Sequence, residues 1–146
     1  MDLPVVAYLD ADRASNRNDQ KSVSGNSFLL GRAAIGWLSK KQTITTNSAC
    51  DAKYVSAAPC ARHINWLRNL FLCLDFPPTV PTLIYCNNQA TVSLTNNFQF
   101  HSKSKHIDNH HHYIRDKDSD DSLSVLCHEC QEPCQCSHKS AAKVQA

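Results

Sequence analysis

The chain has 146 residues, 42% of them hydrophobic, and a formal net charge of +2. That length and apolar content argue against a disordered chain and fit one domain with a buried core. With only three glycines there is no glycine-rich phosphate loop, which argues against a nucleotide-binding enzyme of the P-loop or dinucleotide type; so small a charge neither demands nor opposes a nucleic-acid partner.

Met1-Asp2-Leu3-Pro4 has no basic region and no long apolar stretch, so no signal peptide is read there. No run reaches the ~20 apolar residues needed to cross a bilayer. An intracellular chain is expected, with cytoplasm and nucleus not distinguished. Val5-Val6-Ala7-Tyr8-Leu9 reads as a strand ending in Asp10-Ala11-Asp12, and a polar loop follows to Gly25. Ser27–Leu30 and Ala33–Leu38 read as two further strands joined by Gly31-Arg32, a two-residue hairpin connection. Ser39-Lys40-Lys41-Gln42 reads as a polar turn.

The longest helical pattern runs from about Ala49 to Leu74. Tyr54, Ala57, Ala61, Ile64, Leu67, Leu70, Phe71 and Leu74 recur at spacings of three and four and predict one apolar face. Pro59 falls inside it, where a proline removes a hydrogen bond and clashes with the preceding turn at a cost of ~3 kcal/mol. A kinked helix or a later helix start would each accommodate it. Thr82–Cys86 follows Pro77, Pro78 and Pro81 and reads as a short buried strand. It runs straight into Asn87-Asn88-Gln89, then a short helix from Gln89 to Thr95. A polar helix over His101–Lys117 and a last strand at Leu123–Leu126 complete a mixed α/β order. Cys50, Cys60, Cys73 and Cys86 read as buried reduced thiols.

Six blocks then carry a resemblance: YLDADRA (8–14), KSVSGNSFLLG (21–31), GWLSKKQ (36–42), ACDAKYVSAA (49–58), IYCNNQA (84–90) and FHSKSKHID (100–108). Together, in this order and spacing over residues 5–118, they resemble the ribonuclease H domain that closes the Pol polyprotein of copia-type LTR retrotransposons. Family members usually read YSDADWA, KSTSGY, WSSKKQ, EAEY, CDNQ and FHxxxKHID. The resemblance implies an α/β fold of the ribonuclease H-like type, a mixed five-stranded sheet with flanking helices, over residues 1–126. It also implies hydrolysis of the RNA strand of an RNA–DNA hybrid, with carboxylates holding Mg²⁺ ions for an in-line displacement.

Carried over residue by residue, the implied site is damaged. Asp10 occupies the first acidic position and is the surviving metal ligand. Lys53 stands where the block EAEY has its second glutamate, and Asn87 where CDNQ has its aspartate. At ~4 Å and an effective dielectric near 20, unit charges interact by ~4 kcal/mol, and a divalent ion doubles that, so Lys53 repels the metal its predecessor attracts. Asp51 is not expected to substitute, because two residues along a helix turn the side chain by about 200°. The family's C-terminal acid has no counterpart after Leu126. Arg13 in place of a tryptophan, Asn26 in place of an aromatic, His110 in place of an arginine, and Pro59 add to the departures. The expectation is a catalytically dead copy of a nuclease.

Two other readings stand beside it. Lys40, Lys41, Lys103, Lys105 and His106 with the Asn88 and Gln89 amides would still hold an RNA–DNA hybrid by its backbone, in a salt-dependent way. Residues 127–146 form a Cys-rich tail in which Cys127, Cys130, Cys134, Cys136 and His138 are enough for a Zn²⁺ site. The cramped spacing and abrupt loss of resemblance favour frameshifted sequence there. His106, His110, His111 and His112 read as a solvated or nucleic-acid-facing helix rather than a metal site.

Overall fold

A computed structural model describes residues 4–14, 17–96 and 123–127. Its sheet is built on alternation. In β1 (Val5–Asp12) the odd positions Val5, Ala7, Leu9 and Ala11 are buried and the even ones face outward, the period of two that a half-covered strand shows. β1 pairs antiparallel with β2 (Val23–Leu30), and β2 antiparallel with β3 (Ala33–Lys41). Gly31 opens the two-residue β2–β3 connection at φ 60, a conformation that costs glycine little. The β2–β3 register shifts between Phe28 and Leu29, where Ile35 is the extra residue of a β-bulge.

The strand ends depart from the sequence reading. β2 begins at Val23, and Lys40 and Lys41 belong to β3, where they pair with Ser24 and Val23. Polar residues hide these ends because β3 is an edge strand, and lysines at an edge discourage pairing with another chain.

α1 (Ala49–Cys73) follows the predicted bounds closely. Ser48 caps it, its Oγ accepting from the Asp51 N–H at 3.0 Å. Pro59 is accommodated within the helix rather than before its start. Tyr54, Ala57, Ala61, Ile64 and Leu67 form the buried stripe, packed on β1 and β2. Leu70 and Leu74 share the period but are exposed, so the apolar pattern runs further than the core. The helix ends in a Schellman motif: Phe76 N–H donates to Phe71 O at 2.9 Å and Asp75 N–H to Leu72 O at 3.2 Å, with Asp75 at φ 66.

β4 (Thr82–Cys86) lies parallel to β1, α2 (Gln89–Asn96) follows, and β5 (Leu123–Cys127) lies parallel to β4. β5 thus takes in Cys127, the first residue of the segment assigned to the tail. The sheet order is β3-β2-β1-β4-β5, a mixed five-stranded sheet. Ile84, Leu123 and Val125 close the core beneath α1 and α2. Cys60 and Cys86 are buried in it, and burial pushes the Cys60 thiol pKa up. Cys73, the last residue of α1, is exposed, against expectation. No helix among the described residues is long and apolar enough to cross a membrane.

Candidate functional site

The site forms where three elements converge. Asp10 lies two residues inside the end of β1, Lys53 on the second turn of α1, and Asn87 directly after β4. Parallel pairing of β1 with β4 brings the first and third to the same end of the sheet, Leu9 lying opposite Cys86. Open α/β sheets place their sites at such strand ends.

Lys53 joins the other two. Its Nζ lies 3.1 Å from Asp10 Oδ1 and donates a hydrogen bond to Asn87 Oδ1. The Lys53 side chain is only 12% exposed, whereas that of Asp10 is 67% exposed. A long stem buried with its charged end at a polar mouth is the usual way a lysine is accommodated. Asp10 Oδ1 also accepts from the Ala11 N–H at 2.8 Å.

One turn further along α1, Ser56 fixes the helix against the sheet. Its Oγ donates to Asp10 O at 3.1 Å and lies 3.3 Å from Asn26 Oδ1, and the Asn26 amide reaches back to Ser56 O at 3.5 Å. Both residues are buried. Asn26 is therefore a paired polar group. The sequence carried only a weak signal for this pair, a lone serine on the buried stripe of an amphipathic helix. A second polar link lies nearby: Gln42 Nε2 donates to Ala52 O at 2.7 Å and Ser24 Oγ at 2.9 Å.

The remaining site residues spread out. Asn88 Oδ1 accepts from the Thr91 N–H at 3.0 Å and so caps α2; Gln89 opens that helix. Lys40 and Lys41 are exposed at the end of β3, and Lys41 pairs with Asp19 at 2.5 Å. That hydrogen bond holds the Asp19 carboxyl below its ordinary pKa. Lys103, Lys105, His106, the histidine cluster and the tail from residue 128 lie outside the described residues.

The residues at the strand ends do not fit Mg²⁺. That ion takes oxygen ligands in near-octahedral array at 2.0–2.1 Å. Among the described residues the ammonium of Lys53 occupies one carboxylate, Asp10, and one amide oxygen, Asn87, and the other carboxylate at this end of β1 is Asp12. Among the described residues no group of three or more His, Cys, Asp or Glu side chains converges on a point. The charges of Asp10 and Lys53 cancel, and Asn87 adds none.

No protein-family model matches the chain. It is 34% identical over 119 residues to a retrovirus-related Pol polyprotein from transposon TNT 1-94 of Nicotiana tabacum, covering 82% of this chain and 9% of the relative. It is 36% identical over 124 residues to the corresponding polyprotein from transposon RE1 of Arabidopsis thaliana, covering 85% of this chain and 8% of the relative. The chain thus spans less than a tenth of the length of these curated relatives. Among solved structures, LC11-RNase H1 in complex with RNA/DNA hybrid superposes with a TM-score of 0.52 at 13% identity, covering 84% of this chain and 83% of that one. The foamy viral protease-reverse transcriptase in complex with RNA/DNA hybrid gives 0.57 at 14% identity, covering 99% of this chain and 19% of that one. With its sheet order and crossing helix, the chain has the ribonuclease H-like α/β fold and is a homologue, over most of its length, of a short stretch of retrovirus-related Pol polyproteins.

Proposed function

We propose that this chain is a degenerate ribonuclease H domain of copia-type retrotransposon descent that no longer hydrolyses the RNA strand of an RNA–DNA hybrid by the two-metal route. The observation that carries this reading is the Lys53 ammonium, in contact with both Asp10 and Asn87. Two-metal hydrolysis needs ions that activate water and stabilise the leaving oxygen, and a cation fixed among the ligands opposes their entry. The folded unit is assigned to residues 1–127, β5 included, and the Cys-rich tail to 128–146. The test is incubation of a labelled hybrid with the purified chain in Mg²⁺ and, separately, Mn²⁺. No cleavage above a no-protein control is expected; cleavage that is lost on Asp10→Asn would refute the reading.

A second reading is that the scaffold still holds nucleic acid by its backbone. It is favoured by the Asp10 charge being offset by Lys53 and by Lys40, exposed at the end of β3 beside Lys41, which pairs with Asp19. Backbone binding weakens as salt rises, with a slope set by the number of phosphates neutralised. A hybrid titration across salt concentrations tests it, and an affinity indifferent to salt would count against it.

A further inference from the structure

We propose that the Lys53 ammonium is the resident cation of this site, a tethered replacement for the divalent ion, so that a phosphodiester is accommodated there without any metal. Exclusion of the divalent ion rests on Lys53, Asp10 and Asn87 alone; phosphate uptake rests on the hybrid-binding reading above.

Three observations support this role. The first is position. Nζ contacts Asp10 Oδ1 and Asn87 Oδ1 together, so it links the ends of two parallel neighbouring strands as a shared metal ion would. The second is fixity. The lysine stem is largely buried, and α1 is held to β1 one turn later by Ser56 on Asp10 O. An ammonium anchored in this way loses little further freedom when it meets a ligand, unlike a solvated surface lysine. The third is charge. With several carboxylates and no ion, such a strand end would repel phosphate. With Asp10 neutralised by the ammonium it touches, that repulsion is reduced before any ion arrives, Asp12 being the carboxylate left at this end of β1. An ammonium carries three donors; two are directed to Asp10 and Asn87, and the third is the one a phosphate oxygen would accept. The mouth is open on the Asp10 side.

Lysine thus satisfies one requirement of the site and fails another. It supplies positive charge and ties the strand ends together. It cannot polarise a bound water as a divalent ion does, which separates holding a phosphodiester from cutting it.

The experiment uses the whole chain in EDTA and in millimolar MgCl₂ at matched ionic strength, reading the thermal midpoint, with Mn²⁺-induced broadening of the Asp10 and Asn87 NMR signals as a second measurement. For the wild type, no saturable rise in midpoint and no selective broadening are expected. In the double variant Lys53→Glu/Asn87→Asp, both should appear, because a ligand that binds the folded state raises its midpoint by mass action. A saturable Mg²⁺ response of the wild type, or selective Mn²⁺ broadening at Asp10, would overturn the proposal even if the double variant fails to fold. Hybrid binding is then titrated under the same two conditions. Equal affinities support the proposal, and binding that disappears in EDTA overturns it. Absence of hybrid binding in either condition sinks the phosphate-uptake claim and the binding reading together, and leaves the metal arm to decide whether Lys53 excludes the ion. Lys53→Met, which keeps most of the stem, should lower hybrid affinity several-fold and reduce the salt slope by about one.

Discussion

Pro59→Ala should stabilise the chain. Pro59 lies well inside α1, which continues on both sides of it. Its ring nitrogen cannot donate to Val55 O, and the ring crowds that carbonyl. Relative to alanine, proline in a helix interior costs about 3 kcal/mol, which sets the upper limit of the gain. Against it stands the loss of ring contacts. Pro59 is partly buried, with Ala58 and Cys60 fully buried beside it, and at about 0.8 kcal/mol per buried CH₂ the ring forfeits on the order of 1 kcal/mol. The expected net gain is therefore about 2 kcal/mol. For a chain of 146 residues each kcal/mol moves the thermal midpoint by roughly 3–4 °C, so Tm should rise by about 6–8 °C. Urea unfolding should show a higher midpoint at unchanged m, and the far-UV spectrum should barely change because the helix is already continuous. A midpoint equal to or below that of the wild type would refute the reasoning, since the ring's packing would then outweigh the missing hydrogen bond.

Ser56→Ala removes a buried hydroxyl that donates to Asp10 O and faces Asn26; a loss of about 1–3 kcal/mol is expected in urea unfolding, and an unchanged midpoint would show the pair to be replaceable. Asp75→Gly relieves the left-handed residue that ends α1 and should add about 0.5–1 kcal/mol, read from the same experiment. Asp19 has a folded-state pKa below its unfolded value because of the hydrogen bond from Lys41. Its contribution to stability is thus present above an unfolded value near 3.9 and is lost as pH falls through the folded value. An NMR titration should place Asp19 below the ordinary aspartate range, and Lys41→Met should return it there; no change in that variant would sink the assignment.

The elements that sequence located well are those where burial is periodic. The bounds of α1 came from a stripe running from Tyr54 to Leu74, of which Tyr54, Ala57, Ala61, Ile64 and Leu67 are buried, and those of β4 from an apolar run fenced by prolines. Leu70 and Leu74 misled, because a pattern of three and four records amphipathicity and not how far the sheet extends beneath it. Lys40 and Lys41 misled in the other direction, since an edge strand can be polar on both sides and still pair. At the site, resemblance of the blocks brought Asp10, Lys53 and Asn87 together on paper, and their proximity is observed. What sequence could not supply was the outcome of that meeting. A lysine in an acid's place reads as repulsion for a metal, whereas its simultaneous contact with a carboxylate and an amide depends on the reach of a side chain across two strand ends. Asn26 illustrates the same limit: read alone it is a lost aromatic, and only the fold sets Ser56 beside it.

The order of strands also divides assembly in time. β1, β2 and β3 pair through short connections, so this half of the sheet closes small loops. The junction of β1 with β4 joins residue 6 to residue 83, and contacts so distant in sequence are slow to find one another. Asp10 belongs to the half with local pairing, Lys53 and Asn87 to the segments that must arrive later. The Asn87 half of the ammonium bridge needs β4 in place beside β1, so the bridge is expected to be completed after that pairing. Its removal should leave the refolding rate nearly unchanged and appear as faster unfolding in stopped-flow experiments; the latch governs how long the native state lasts more than how quickly it is reached.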